Sequence, residues 1–185
     1  MRPGRPQRLE YEYKRHGTLS LIANWNVALG KVISPSMDPT RKEFDFANHI
    51  AQTLETAPED GWIFLLDQLN THKSESLVRL VAACCGIEHD LGVKGSSGVL
   101  ASMATRADFL SDTTHRIRFV YIPKHTSWLN QIECWFSILV RRLIRRGNFV
   151  STDDLLQQIW AFIGYFNRTM AKPFQWQFQG FKPRL

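Results

Sequence analysis

The stretch Gly61-Trp62-Ile63-Phe64-Leu65-Leu66-Asp67 decides the reading of this chain. A glycine punctuates, five apolar residues follow, and a carboxylate ends the run. A short, continuously apolar segment is the pattern of a strand covered on both faces. In open α/β sheets, reactive groups gather beyond the carboxyl ends of strands. An Asp directly after such a run is held by the strand and projects from its end. The alternative is an Asp that forms a turn and caps the following loop. Asn70, Thr71 and His72 follow closely. They either orient the carboxylate or touch phosphate, or they are turn residues.

Working outward, hydrophobic period separates the other elements. Residues 1–8 are Arg/Pro-rich and read as a mobile segment, with a single domain over 9–185. Glu10-Tyr11-Glu12-Tyr13 alternates like a strand. Residues 18–27 form a stronger one, and Gly30 turns the chain into a return strand at Lys31-Val32-Ile33. A helix is predicted over 39–55, where Phe44, Ala47, Ile50, Ala51 and Leu54 recur at helical spacing. Ser74 is a good N-cap for a helix over 74–83, which Gly86 stops. Residues 86–115 read as a long loop with one short helix at 103–110, and a strand follows over 117–122. A helix over 130–146 ends at Gly147. The last helix is opened by Ser151-Thr152-Asp153-Asp154, which matches a capping box, and it runs to Asn167. Strands alternating with helices predict a mixed α/β sheet with helices on its faces.

With 23 Lys and Arg against 17 Asp and Glu, the chain has a formal charge of +6 and favours anionic partners, nucleic acid first. The three cysteines, Cys84, Cys85 and Cys134, offer neither a disulfide framework nor a CxxC pair for zinc. They read as small buried apolar residues and suit a reducing cytoplasm. No apolar run approaches the ~20 residues of a membrane span, and the start Met-Arg-Pro-Gly-Arg-Pro has no signal-peptide core.

Glu133 is the second carboxylate of interest. On the helix from Asn130, residues Leu129, Ile132, Phe136, Leu139 and Leu143 form an apolar stripe, and Glu133 lies beside it in line with Ser137 and Arg141. A first-turn acid also complements the helix dipole, which is the purely structural account. The functional account is that Glu133 points back over the sheet edge towards Asp67. Divalent cations such as Mg²⁺ take hard oxygen ligands from different elements, and two ions can clamp the attacking and leaving oxygens of a phosphodiester. Lys124 and His125 precede Glu133, and Arg141, Arg142, Arg145 and Arg146 close its helix. They are either a solvated helix end or phosphate contacts. Trp128 and Trp135 either stack on an unpaired base or belong to the core.

At these residues the chain resembles a known family. Leu66-Asp67-Gln68-Leu69-Asn70-Thr71-His72 resembles a D-N-x-x-x-H segment, and Pro123-Lys124-His125-Thr126-Ser127-Trp128-Leu129-Asn130-Gln131-Ile132-Glu133 resembles P-x-x-S-x-x-L-N-x-I-E. Both are motifs of bacterial insertion-sequence transposases related to the mariner group, in the DDE superfamily. The resemblance covers nearly the whole chain and extends to Arg145-Arg146-Gly147-Asn148-Phe149 and Tyr165-Phe166-Asn167. It implies a ribonuclease H-like mixed sheet, Mg²⁺ or Mn²⁺ as cofactor, and metal-dependent DNA strand cleavage and joining. Asp67 would be the second acid of the triad and Glu133 the third, both catalytic and metal-binding, with Asn70, His72 and Asn130 in support. Gln68 departs from the usual Asn.

The same resemblance puts the first Asp on a first strand upstream of the segment resembling residues 10–17, between the strands at 18–27 and 62–66. The expectation is therefore a catalytic domain lacking that strand and the DNA-end-recognising helix-turn-helix, with impaired activity alone. A non-catalytic fragment that binds DNA, or that dimerises with itself or with full-length transposase, is the alternative. A weaker reading uses Glu10 or Glu12 as the substitute acid.

Overall fold

A computed structural model of the chain describes residues 16–123, 126 and 130–173. Among these residues the order is β1 (Ser20–Asn26), β2 (Lys31–Asp38), α1 (Glu43–Leu54), β3 (Trp62–Leu66), α2 (Glu75–Cys84), α3 (Met103–Leu110), β4 (Ile117–Tyr121), α4 (Ile132–Arg142) and α5 (Thr152–Thr169). The mixed α/β class and the element order agree with the sequence reading. The segment at 9–13, with Glu10 and Glu12, lies outside the described residues, as do Lys124, His125 and Trp128.

β1 and β2 form the expected antiparallel hairpin, from Ser20 opposite Asp38 to Asn26 opposite Lys31. Gly30 closes it at φ +63, where a Cβ would collide with the carbonyl of Lys172. β2 runs on to Asp38, past the expected end at Ile33. A register irregularity between Ile22 and Asn24, Ser34 at φ +42 and the following Pro35 break the alternation that marks a strand. β3 and β4 pair in parallel from Trp62–Ile117 to Leu66–Tyr121. The ladder continues at each end, with Trp62 N donating to Arg116 O and Ile122 N to Leu66 O, both at 2.8 Å.

Among the described residues these are two separate two-stranded sheets. A cleft of about 340 Å³ lies between them, lined by 23–26 of β1 with Val27 just after it, 62–66 of β3, and 130–132 leading into α4. The facing edges carry backbone groups that no strand pairs, so a single mixed sheet is not formed by the described strands.

Two cores hold the two sheets. Phe46, Ile50 and Leu54 of α1 and Leu77, Val78 and Val81 of α2 pack with Leu100 and Leu110 on Phe64, Ile117 and Phe119. Ile132, Trp135 and Leu139 of α4 and Ile159, Ile163 and Phe166 of α5 pack on the β1–β2 hairpin. Asn167 joins hairpin and helix: its Oδ1 accepts from Val32 N at 3.0 Å and its Nδ2 donates to Val32 O at 2.8 Å.

Several sequence expectations need correction. β3 is not covered on both faces. Phe64 is buried, but Ile63 is 61% and Leu65 44% exposed, because the core built by α1 and α2 covers only one side of this strand pair. Cys134 is exposed, and Cys84 and Cys85 are only partly buried. α1 begins at Glu43, four residues after Pro39, because Asp45 accepts from the backbone N–H of Lys42 and from Thr40 Oγ1 and fixes the start there. α4 begins at Ile132 and ends at Arg142, and Ile144–Arg146 winds as a separate 3₁₀ turn. Ser151 caps α5 by accepting from Asp154 N, as the motif predicts, but Asp154 reaches back to Val150 N. The loop helix at 103–110 is present as read, anchored by buried Arg106, which donates to Lys73 O at 2.7 Å and Leu100 O at 2.9 Å. No described helix is long and apolar enough to cross a membrane.

Candidate active site

β3 delivers Asp67 to its carboxyl end, as the apolar run requires. The side chain is 52% exposed. Its Oδ1 accepts from Leu69 N at 3.1 Å and faces His72 Nδ1 at 2.8 Å. The turn role and the candidate catalytic role therefore coexist in one side chain. Both contacts fall on Oδ1, and among the described residues Oδ2 takes no hydrogen bond.

His72 is mostly buried and tilts against Phe46 with ring centroids 4.4 Å apart. Burial pushes its pKa below the ordinary histidine value, opposed by the Asp67 carboxylate. The neutral ring donates from Nδ1 to Asp67. A second layer fixes the turn carrying it. Tyr121 Oη donates to His72 O at 2.8 Å, Gln68 Nε2 donates to Ile122 O at 2.8 Å, and Lys73 Nζ donates to Gln68 Oε1 while standing 4.6 Å from the Tyr121 ring centroid. Gln68, the departure from the motif, thus ties this turn to the end of β4.

Glu133 is exposed in the first turn of α4, as expected. Asn130 Oδ1 accepts from Ile132 N at 3.3 Å and helps to set this start. Ser137 donates to Glu133 O and Arg141 Nε to Ser137 O, so the line Glu133–Ser137–Arg141 is bonded through backbone carbonyls.

A cavity of about 210 Å³ has both Asp67 and Glu133 in its wall, with Asn24, Thr71, His72 and Asn130. Asn70 does not line it. Arg141, Arg142, Arg145 and Arg146 are exposed at the far end of α4 and do not line it either. At 1.5 Å rise per residue, Arg141 lies about 12 Å along the axis from Glu133. The cations in this wall are instead Arg41 and Lys42, just ahead of α1. Sequence reading passed over them, because their only local signal was two basic residues before a helix. Trp135 is 1% exposed, wedged between Phe136 and Phe166, so it is a core residue and not a base-stacking platform.

Asp67 and Glu133 line this cavity with Asn24 and Asn130, all of which carry hard oxygen atoms. Mg²⁺ suits such a wall, since it keeps several waters and binds through one or two carboxylates plus substrate phosphates. Among the described residues, no group of three or more His, Cys, Asp or Glu side chains is arranged to hold an ion.

A family model described as DDE superfamily endonuclease matches residues 1–156. The chain belongs to that family. Comparison with curated proteins and with solved structures gave no match.

Proposed function

We propose that this chain carries the catalytic site of a transposase-type enzyme that cleaves and joins DNA strands with Mg²⁺ or Mn²⁺, of the bacterial insertion-sequence group related to mariner. The observation that carries this reading is that Asp67 and Glu133, far apart in sequence, line one cavity at the end of β3. A divalent ion held by these carboxylates would supply Lewis-acid stabilisation of the phosphodiester as it is attacked. The protein's own part is positional. His72 holds Oδ1 of Asp67 and leaves Oδ2 without a hydrogen bond among the described residues, while β3 and the first turn of α4 carry the two acids. The first acid of the family's triad belongs on a strand between β1 and β3. The cleft between these strands, which no described strand fills, supports that assignment.

The absence of a three-ligand group among the described residues favours a second reading, a non-catalytic fragment that binds DNA or pairs with another transposase chain. Nicking of supercoiled plasmid in Mn²⁺ separates the two. Nicking abolished by Asp67→Asn and by Glu133→Gln supports the enzyme. DNA binding with no metal-dependent nicking supports the fragment.

A further inference from the structure

Arg41 and Lys42 stand in the same cavity wall as Asp67 and Glu133, yet neither has an ion-pair partner within 4.0 Å among the described residues. The acids near them are engaged elsewhere. Glu43 is bound by Lys94 at 3.2 Å and by Ser76 N at 3.2 Å. The carboxylate of Asp45 is taken by Thr40 and by the Lys42 backbone N–H. That last contact also occupies the start of α1, so an anion in the cavity would meet the two side chains and not bare helix amides. Both residues are exposed.

A DNA strand brought to Asp67 and Glu133 meets two negative charges. A bound divalent ion offsets them at one phosphate only. Each strand carries a further phosphate every 3.4 Å along the axis, so its neighbours come to rest over the rim of the acidic cavity. Cations must stand there if the strand is to lie across it, and arginine is well suited to gripping phosphate oxygens. We infer that Arg41 and Lys42 form the phosphate-binding rim of this cavity and hold the DNA backbone beside the phosphodiester presented to Asp67 and Glu133. The inference rests on the strand-cleaving reading of the two acids. It moves the main DNA contact from the arginines at the end of α4 to the start of α1.

The test is fluorescence anisotropy of a labelled DNA duplex titrated with salt, in metal-free buffer, using the full chain. Each lost phosphate contact should reduce the slope of log affinity against log salt by about 0.9. Arg41→Ala/Lys42→Ala should therefore lower the slope by about 2 without changing the thermal midpoint, and Arg41→Lys/Lys42→Arg should retain it. Lys31→Ala removes one positive charge from the β1–β2 hairpin, outside the cavity, and should leave the slope unchanged. An unchanged slope in the double alanine variant overturns the inference. So does a drop of about 0.9 for Lys31→Ala, or a wild-type chain that does not bind DNA. Asp67→Asn tests the underlying reading separately. If it still nicks DNA in Mn²⁺ like wild type, the assignment of the acids fails, whatever the salt slope shows.

Discussion

Lowering the pH from 7 to 5 should destabilise this protein chiefly through His49, with a smaller part from His72, whose pKa burial also lowers. The His49 side chain lies where α1 meets β2, 1% exposed, with Nδ1 2.9 Å from Ser36 Oγ. Its Nε2 is buried and has no hydrogen-bond partner among the described residues. Burial lowers its pKa from 6.5 to about 4. The folded protein therefore resists a proton that the unfolded chain accepts. The stabilisation is complete above the unfolded value, 6.5, and is lost progressively as the pH falls towards the folded value. Proton linkage across that difference gives a loss of about 2 kcal/mol between pH 7 and pH 5, out of about 3 kcal/mol in all. Carboxylates with lowered pKa, such as Glu43 and Asp154, contribute mainly below this window. The assay is urea unfolding at pH 7, 6 and 5. With a slope of about 2 kcal/mol/M, the wild-type midpoint should fall by about 1 M. His49→Leu should start from a different midpoint and lose much less of it over the same range, the remainder coming from His72. If both proteins lose the same amount, the neutral buried histidine is not the cause and the reasoning fails.

Two further predictions concern the packing. Asn167→Leu removes both hydrogen bonds to Val32 and leaves a partly buried N–H and C=O unpaired, so thermal stability should drop by about 1–3 kcal/mol, read as a lower melting midpoint. Cys134 is exposed whereas burial raises the pKa of the Cys84 thiol; a thiol reagent at neutral pH should label Cys134 first in the native protein, and mass spectrometry of the modified peptides checks the order.

Local signals carried much of this fold. Ser74, Ser151 and Gly86 mark helix ends because each acts within a few residues of itself, as with Ser74 Oγ accepting from Leu77 N at 3.2 Å. The parallel β3–β4 pair was legible as two short apolar runs. Exposure of Ile63 and Leu65 was not, since an apolar run looks the same whether one face or two are covered. The second half of β2 was hidden by Ser34 and Pro35. At the site, Asp67 and Glu133 stood out because a charge follows or flanks an apolar pattern. The proximity of His72 to Asp67 could be read from their spacing. Arg41 and Lys42 could not, because only the packing of α1 against the end of β3 brings them to the acids. The α4 arginines show the converse: they are near Glu133 in sequence yet do not line its cavity, because eight or more residues of chain carry them away from it.

The central claim is that Asp67 and Glu133 share one divalent cation. Mn²⁺ binding to the full chain, followed by electron paramagnetic resonance, tests it directly. The account predicts one saturable site weakened at least tenfold, about 1.4 kcal/mol, by Asp67→Asn and by Glu133→Gln alike. Because both variants disable the same site, the double variant should lose much less than the sum of the two singles. Losses that simply add would mean two independent weak sites. Affinity unchanged in either single variant would mean that the two carboxylates do not share an ion.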